Sequence, residues 1–200
     1  DYIVDPSITF GIELECSTFY NEAYISIGQI LSKWIIKEER TVNNGLEITS
    51  PVLSYTEKDL KELKYICDFL CSNNFEETPD CGGHIHIGFD YFKSVNEIKM
   101  LYYLFIHCEE ILYLICNKCN SLIRPGVKIN ARKIKETIVS QFGKYIGFKV
   151  DKINDFVNII SSIQTDRYYS INILNALSLN KNTIEFRMPN GEINFEELKL

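Results

Sequence analysis

Charged or imidazole side chains alternate with bulky apolar ones in three short segments of the chain: Gly11-Ile12-Glu13-Leu14-Glu15, His84-Ile85-His86-Ile87 and Thr183-Ile184-Glu185-Phe186-Arg187. A fourth, Leu46-Glu47-Ile48-Thr49, repeats the pattern more weakly. A period of two belongs to strands, whose successive side chains project to opposite faces. Glu13 with Glu15, His84 with His86, and Glu185 with Arg187 then share a face, and the apolar residues between them share the other. The pattern predicts strands over residues 8–16, 46–49, 81–90 and 183–187. The last pairs as an antiparallel hairpin with 167–173 across a polar Asn180-Lys181-Asn182 turn. Gly82-Gly83, at the entry to the third strand, permits close backbone approach to a ligand or neighbour.

Helical periodicity fills the intervals. A mixed apolar stretch over 21–39 is long enough for a helix. Thr56-Glu57-Lys58-Asp59 reads as a capping box opening a helix with Leu60, Leu63, Ile66, Cys67 and Leu70 on one face, stopped by Asn73 and Asn74. Ser94-Val95-Asn96-Glu97 opens another, whose expected buried face carries Leu101, Leu104, Phe105, Cys108, Ile111, Leu112 and Ile115. Beyond it the chain predicts a turn at Arg124-Pro125-Gly126, helices over 131–142 and 152–163 with a loop at 143–150, and the opening of a helix from 194. Strands and helices in this order predict a single α+β domain over 1–200: one curved, mainly antiparallel sheet, helices on its apolar face and a ligand on the other.

Composition narrows the function. With 46% hydrophobic and 24% charged residues the chain is an ordinary globular sequence. Its net charge of −6, without basic runs, argues against nucleic acid or a membrane surface as partner. The apolar run 100–106 is far short of the roughly 20 residues a membrane helix requires. Seven cysteines scattered through the predicted elements do not form a disulfide framework and point to a reducing compartment, so a cytoplasmic location is expected. Cys116-Asn117-Lys118-Cys119 is a CxxC at the end of an apolar helix, whereas redox pairs sit where a strand opens into a helix. Cys81 with His84 and His86 would suit zinc only with a fourth ligand, and no second Cys/His cluster is evident.

Each polar segment has a plain structural explanation: Glu13 and Glu15 as a solvated strand face, His84 and His86 as a hydrogen-bonded pair, Glu185 and Arg187 as a cross-strand ion pair. Their coincidence points elsewhere. Two of the three histidines share one strand, and every other alternating segment carries Glu. Carboxylates and imidazoles gathered on one face repel without a cation, and as hard donors they suit Mg²⁺ or Mn²⁺, ions that commonly bridge to substrate phosphates. Arg187, and Arg167 on the adjoining strand, are placed to neutralise phosphoryl oxygens. His107, within an apolar helix, reads as structural.

At these residues the sequence resembles the amidoligase family, grouped with glutamine synthetase and glutamate-cysteine ligase among the carboxylate-amine ligases. The matching pieces are Phe10-Gly11-Ile12-Glu13-Leu14-Glu15, Glu47-Ile48-Thr49-Ser50-Pro51, Cys81-Gly82-Gly83-His84-Ile85-His86-Ile87-Gly88, Arg167-Tyr168 with Asn172, and Thr183-Ile184-Glu185-Phe186-Arg187, in family order. The resemblance implies a glutamine synthetase-like catalytic domain whose concave sheet face binds ATP with Mg²⁺ or Mn²⁺. By position, Glu13, Glu15, Glu47, His84 and Glu185 are the implied metal ligands. Glu13, His86, Arg167 and Arg187 are the implied nucleotide contacts, and Glu15, Arg167 and Arg187 the implied catalytic residues. The implied reaction makes an amide through an acyl phosphate, from small-molecule, peptide or protein carboxylate and amine substrates. Arg124, Asn130 and Arg132 are candidate substrate contacts in a segment that matches the family poorly. The chain ends sooner after the Glu185 strand than family members usually do, which suggests a shortened C-terminus. A phosphotransferase of the same fold, an inactive nucleotide- and metal-binding module, and a metal-dependent hydrolase using His84 and His86 remain alternatives; substrate identity and oligomeric state are left open.

Overall fold

The strands that carry the polar residues do form, and those of Glu13, Glu47 and Glu185 bury their apolar alternates in a core. A computed structural model describes residues 4–18, 33–116, 131–134 and 150–198. In chain order the elements are strands β1 (Thr9–Thr18), β2 (Ile35–Glu39), β3 (Gly45–Thr49) and β4 (Leu53–Ser54), helix α1 (Glu57–Ser72), strands β5 (Phe75–Glu76) and β6 (Gly83–Gly88), a 3-10 turn (Phe89–Tyr91) and helix α2 (Val95–Cys116). Helix α3 (Ile153–Ile163), strands β7 (Ile171–Asn172) and β8 (Thr183–Phe186) and helix α4 (Phe195–Leu198) complete them. The protein is α+β, with mostly antiparallel strand pairing. No helix among the described residues is long and apolar enough to cross a membrane.

Two units divide the chain, one comprising Asp1–Ile85 with Pro189–Leu200 and the other His86–Met188; the chain passes between them within β6. In the first unit the strand order is β2-β3-β1-β6, with β4 and β5 also paired to β1. Ile12, Leu14 and Cys16 of β1 and Leu46 and Ile48 of β3 point to the face covered by α1, whose Leu63, Ile66, Cys67 and Leu70 are buried there. Each such aliphatic side chain contributes about 1.5–3 kcal/mol by leaving water. The cap of α1 works as expected: the Thr56 hydroxyl accepts from the Asp59 amide at 3.2 Å, and the Asp59 carboxylate reaches back to the Ser54 amide at 2.9 Å. Asn73 caps the far end, and Asn74 follows with φ of 59°, which asparagine tolerates better than most residues. Gly83 is needed for close approach, because a Cβ there would lie 2.3 Å from the Asn190 carbonyl oxygen.

In the second unit the order is β6-β8-β7, and α2 and α3 share a core with the strands. Ile171 of β7 and Ile184 of β8 are fully buried in it with Tyr102, Phe156 and Ile160. Ser94 and Glu97 form the expected reciprocal cap, each side chain bonding the other's amide at 3.3 Å.

Four expectations change. Residues 35–39 form a strand, because pairing with β3 outweighs the helix preference of Lys37, Glu38 and Glu39; positions 21–32 lie outside the described residues. The third strand stops at Gly88 and turns through Phe89–Tyr91. Residues 131–133 are not helical: Arg132 instead bridges to Tyr169, and 135–142 lie outside the described residues. Finally, α2 buries Val95, Ile98, Tyr102, Phe105, Ile106, Glu109 and Tyr113, while Leu104, Ile111 and Ile115 are exposed. The helix is apolar nearly all round, so its sequence offered two stripes and the packing used the one containing Ile98, Tyr102 and Ile106.

Candidate functional site

In the first unit, antiparallel register sets the polar residues in rows. Glu15 of β1 lies opposite Glu47 of β3, and Glu47 opposite Lys37 of β2, while Glu13 faces Thr49. Opposed glutamates that are both buried repel. The protein answers part of that repulsion itself. Lys37 Nζ meets Glu47 at 2.7 Å, and Thr49 Oγ1 donates to the same carboxylate at 3.1 Å. That carboxylate holds the Lys37 ammonium above its ordinary pKa. Glu15 accepts a short hydrogen bond from the Gly82 amide, which explains why the strand entry must let backbone come close. Glu13 meets His84 Nδ1 at 2.8 Å.

In the second unit, Thr183, Glu185 and Arg187 project to one side of β8 and its continuation. His86 Nδ1 lies 3.2 Å from the Thr183 hydroxyl. Glu185 is held at both oxygens, one by Arg187 Nη1 and the other by Asn172 Nδ2 at 2.7 Å. All three side chains are buried. The Asn172 amide is itself oriented, since its oxygen accepts from the Leu174 amide at 3.0 Å. Arg167 and Arg187 stand 5.3 and 5.8 Å from the Tyr168 ring, and Arg132 stands 4.7 Å from Tyr169 while pairing with Asp166 at 2.6 Å. That pairing, with the Tyr168 amide, lowers the Asp166 pKa. A cleft of about 630 Å³ in this unit, bounded by Phe89, Phe92, Ile153 and Leu177 with Asp90 and Lys93, contains none of the predicted site residues.

The structure thus places Glu13, Glu15, Glu47 and His84 together in one unit, and His86, Arg167, Glu185 and Arg187 on adjoining segments of the other. His84 and His86 engage different partners, although they share a strand. The helical pattern expected over 21–39 hides Lys37, which a period of two sets beside Glu47. Asn172 was legible only as part of a family motif, since its grip on Glu185 depends on β7–β8 register. Arg124 and Asn130 lie outside the described residues. Cys81 engages the Thr78 hydroxyl at 3.3 Å, and the exposed His107 stacks on Tyr103 and meets the Tyr103 carbonyl.

This donor set, carboxylates and imidazoles backed by guanidinium groups, fits a hard divalent cation and phosphate oxygens better than a thiophilic metal. Residues 30–200 match the family described as "Putative amidoligase enzyme". The chain belongs to that amidoligase family, which implies a ligase-type function. The matched span begins after β1, so Glu13 and Glu15 fall outside it. No curated protein and no solved structure matches the chain.

Proposed function

We propose that the protein is an ATP-dependent carboxylate-amine ligase that uses Mg²⁺ or Mn²⁺. The observation that supports this most is the buried Glu185–Arg187–Asn172 cluster in a member of the amidoligase family, because a guanidinium can neutralise phosphoryl oxygens and a carboxylate beside it can hold a hard cation. Glu13, Glu15, Glu47, His84 and Glu185 are the residues that would hold the cations, whose role is to offset phosphoryl charge. Arg187, Arg167 and His86 contact the phosphates. A substrate carboxylate oxygen attacks the γ-phosphorus as ADP departs. The amine then attacks the acyl carbon and loses a proton to solvent as inorganic phosphate leaves. The chain's contribution is positioning and charge neutralisation, since the phosphoryl group itself makes the carboxylate reactive. Candidate substrates are small-molecule, peptide or protein acids and amines.

A second reading, a nucleotide-binding module without turnover, draws on the engagement of both Glu185 oxygens by protein groups. Calorimetry with ATP and Mg²⁺ tests both. Metal-dependent binding is expected in the wild type and weakened in Glu15→Gln and in Arg167→Ala, the latter an exposed position where folding is not at stake. ADP release on adding amine and acid would mark the ligase, and binding without release the inactive module. A wild type that binds no ATP with either metal would end both readings.

A further inference from the structure

Three guanidinium groups of the second unit lie against two consecutive aromatic rings, Arg132 on Tyr169 and Arg167 with Arg187 on Tyr168. A ring face attracts a guanidinium within about 6 Å, but it holds the group in place only if the backbones carrying arginine and ring are fixed relative to one another. Here they meet at one residue. The Ser170 amide donates to the Arg132 carbonyl, and the Ser170 carbonyl accepts from the Arg187 amide, both at 2.8 Å. The Arg132 amide returns a bond to the Tyr168 carbonyl, also at 2.8 Å. Ser170 is fully buried, and its hydroxyl donates at 2.5 Å to Glu109 Oε1 on α2. The same oxygen accepts from the Ile134 amide at 2.9 Å, and the Tyr113 hydroxyl, one turn further along α2, bonds the Ala131 carbonyl.

Glu109 is a fully buried carboxylate in a helix face that is otherwise apolar or aromatic, a position where a hydrophobe would pack without the cost of desolvating a charge-bearing group. The reaction proposed above gives it no role. Its oxygen joins the 131–134 segment to the segment before β7 that carries Tyr168 and Tyr169.

We infer that Glu109 and Ser170 are positioning residues that hold Arg132, Arg167 and Arg187 beside Tyr168 and Tyr169 as one set for a polyphosphate, with Arg132 a third phosphate contact; this rests on the nucleotide reading given above. Removing the hydroxyl leaves the backbone bonds of Ser170 and the bonds to 131–134 in place but cuts the link from Glu109 to the segment that carries Tyr168 and Tyr169. Guanidinium geometry should suffer more than fold.

The test compares the wild type with Ser170→Ala, Glu109→Gln and Arg132→Lys, using ATP with Mg²⁺ and inorganic tripolyphosphate as probes. Ser170→Ala is expected to weaken both by about tenfold, the equivalent of one lost buried hydrogen bond. Its circular dichroism should not change, while Arg132 becomes more reactive toward phenylglyoxal by peptide mass analysis. Glu109→Gln keeps an acceptor oxygen and should bind nearly as the wild type does. Arg132→Lys, at a partly exposed side chain where folding is secure, keeps the charge but loses the forked guanidinium and should weaken both probes. Wild-type affinity in both Ser170→Ala and Arg132→Lys, with unchanged Arg132 reactivity, would overturn the inference and leave the ligase reading standing. A wild type that bound neither probe would overturn both together. If Ser170→Ala failed to fold, Arg132→Lys would decide, with undiminished affinity counting against the inference.

Discussion

The opposition of Glu15 and Glu47 shows how single residues carry chemistry here. A carboxylate can be buried beside another only where donors offset the charge, and Lys37, Thr49 and the Gly82 amide serve as those donors. The cysteines respond to burial by keeping their protons, because desolvation disfavours the thiolate. Burial, with Cys81 and Glu15 adding, pushes the Cys16 thiol up to about 12, and burial beside Cys71 and Asp68 does the same to Cys67. A raised folded pKa keeps both as thiols until the pH approaches that value, so at about pH 8, near an ordinary thiol pKa, they present almost no thiolate. A thiol-reagent titration of the native protein at that pH should label the exposed Cys108, and Cys71 more slowly because its pKa is also raised; Cys16 and Cys67 should react only after denaturation. Labelling of Cys16 in the native state would contradict the packing of β1 against α1.

At the scale of elements, local signals succeeded where one stripe or one cap was available. α1 formed where Thr56 opened it and buried the face its spacing marked. The antiparallel β7–β8 pairing formed, with β7 limited to Ile171–Asn172 of the expected 167–173, and it places Asn172 opposite Glu185. α2 shows the limit of such signals. Its sequence is apolar on most sides, and the choice of face fell to the sheet and α3, which had room for Tyr102 against Phe156 and for Phe105 against Phe186. Phe105→Ala should therefore cost about 3–5 kcal/mol in denaturant unfolding, and Leu104→Ala less than about 0.5 kcal/mol beyond helix propensity. Equal costs would mean that the exposed stripe of α2 is covered in solution.

For the whole molecule, each unit has its own apolar core and its own polar strand face, so the proposed function predicts linkage between ligand and folding. ATP with Mg²⁺ at a hundredfold excess over its dissociation constant should stabilise the native chain by about 2.7 kcal/mol, seen as a higher thermal midpoint that a chelator removes. A midpoint unmoved by ATP and metal would count against nucleotide binding by the native state.

The sequence by itself determined which residues alternate, and so the strands of Glu13, Glu15, Glu47, His84, His86 and Glu185, the capped helices, and membership in a family of ligases. Those features are local or motif-borne: a strand's alternation and a helix's cap depend on neighbours a few residues away. Tertiary structure alone decided that residues 35–39 extend beside β3 and bring Lys37 to Glu47, that Glu185 is held between Arg187 and Asn172, and that Glu109 lies buried beneath Ser170. These depend on register and packing between segments far apart in the chain, where a shift of one residue sends a side chain to the opposite face and no local pattern specifies the partner.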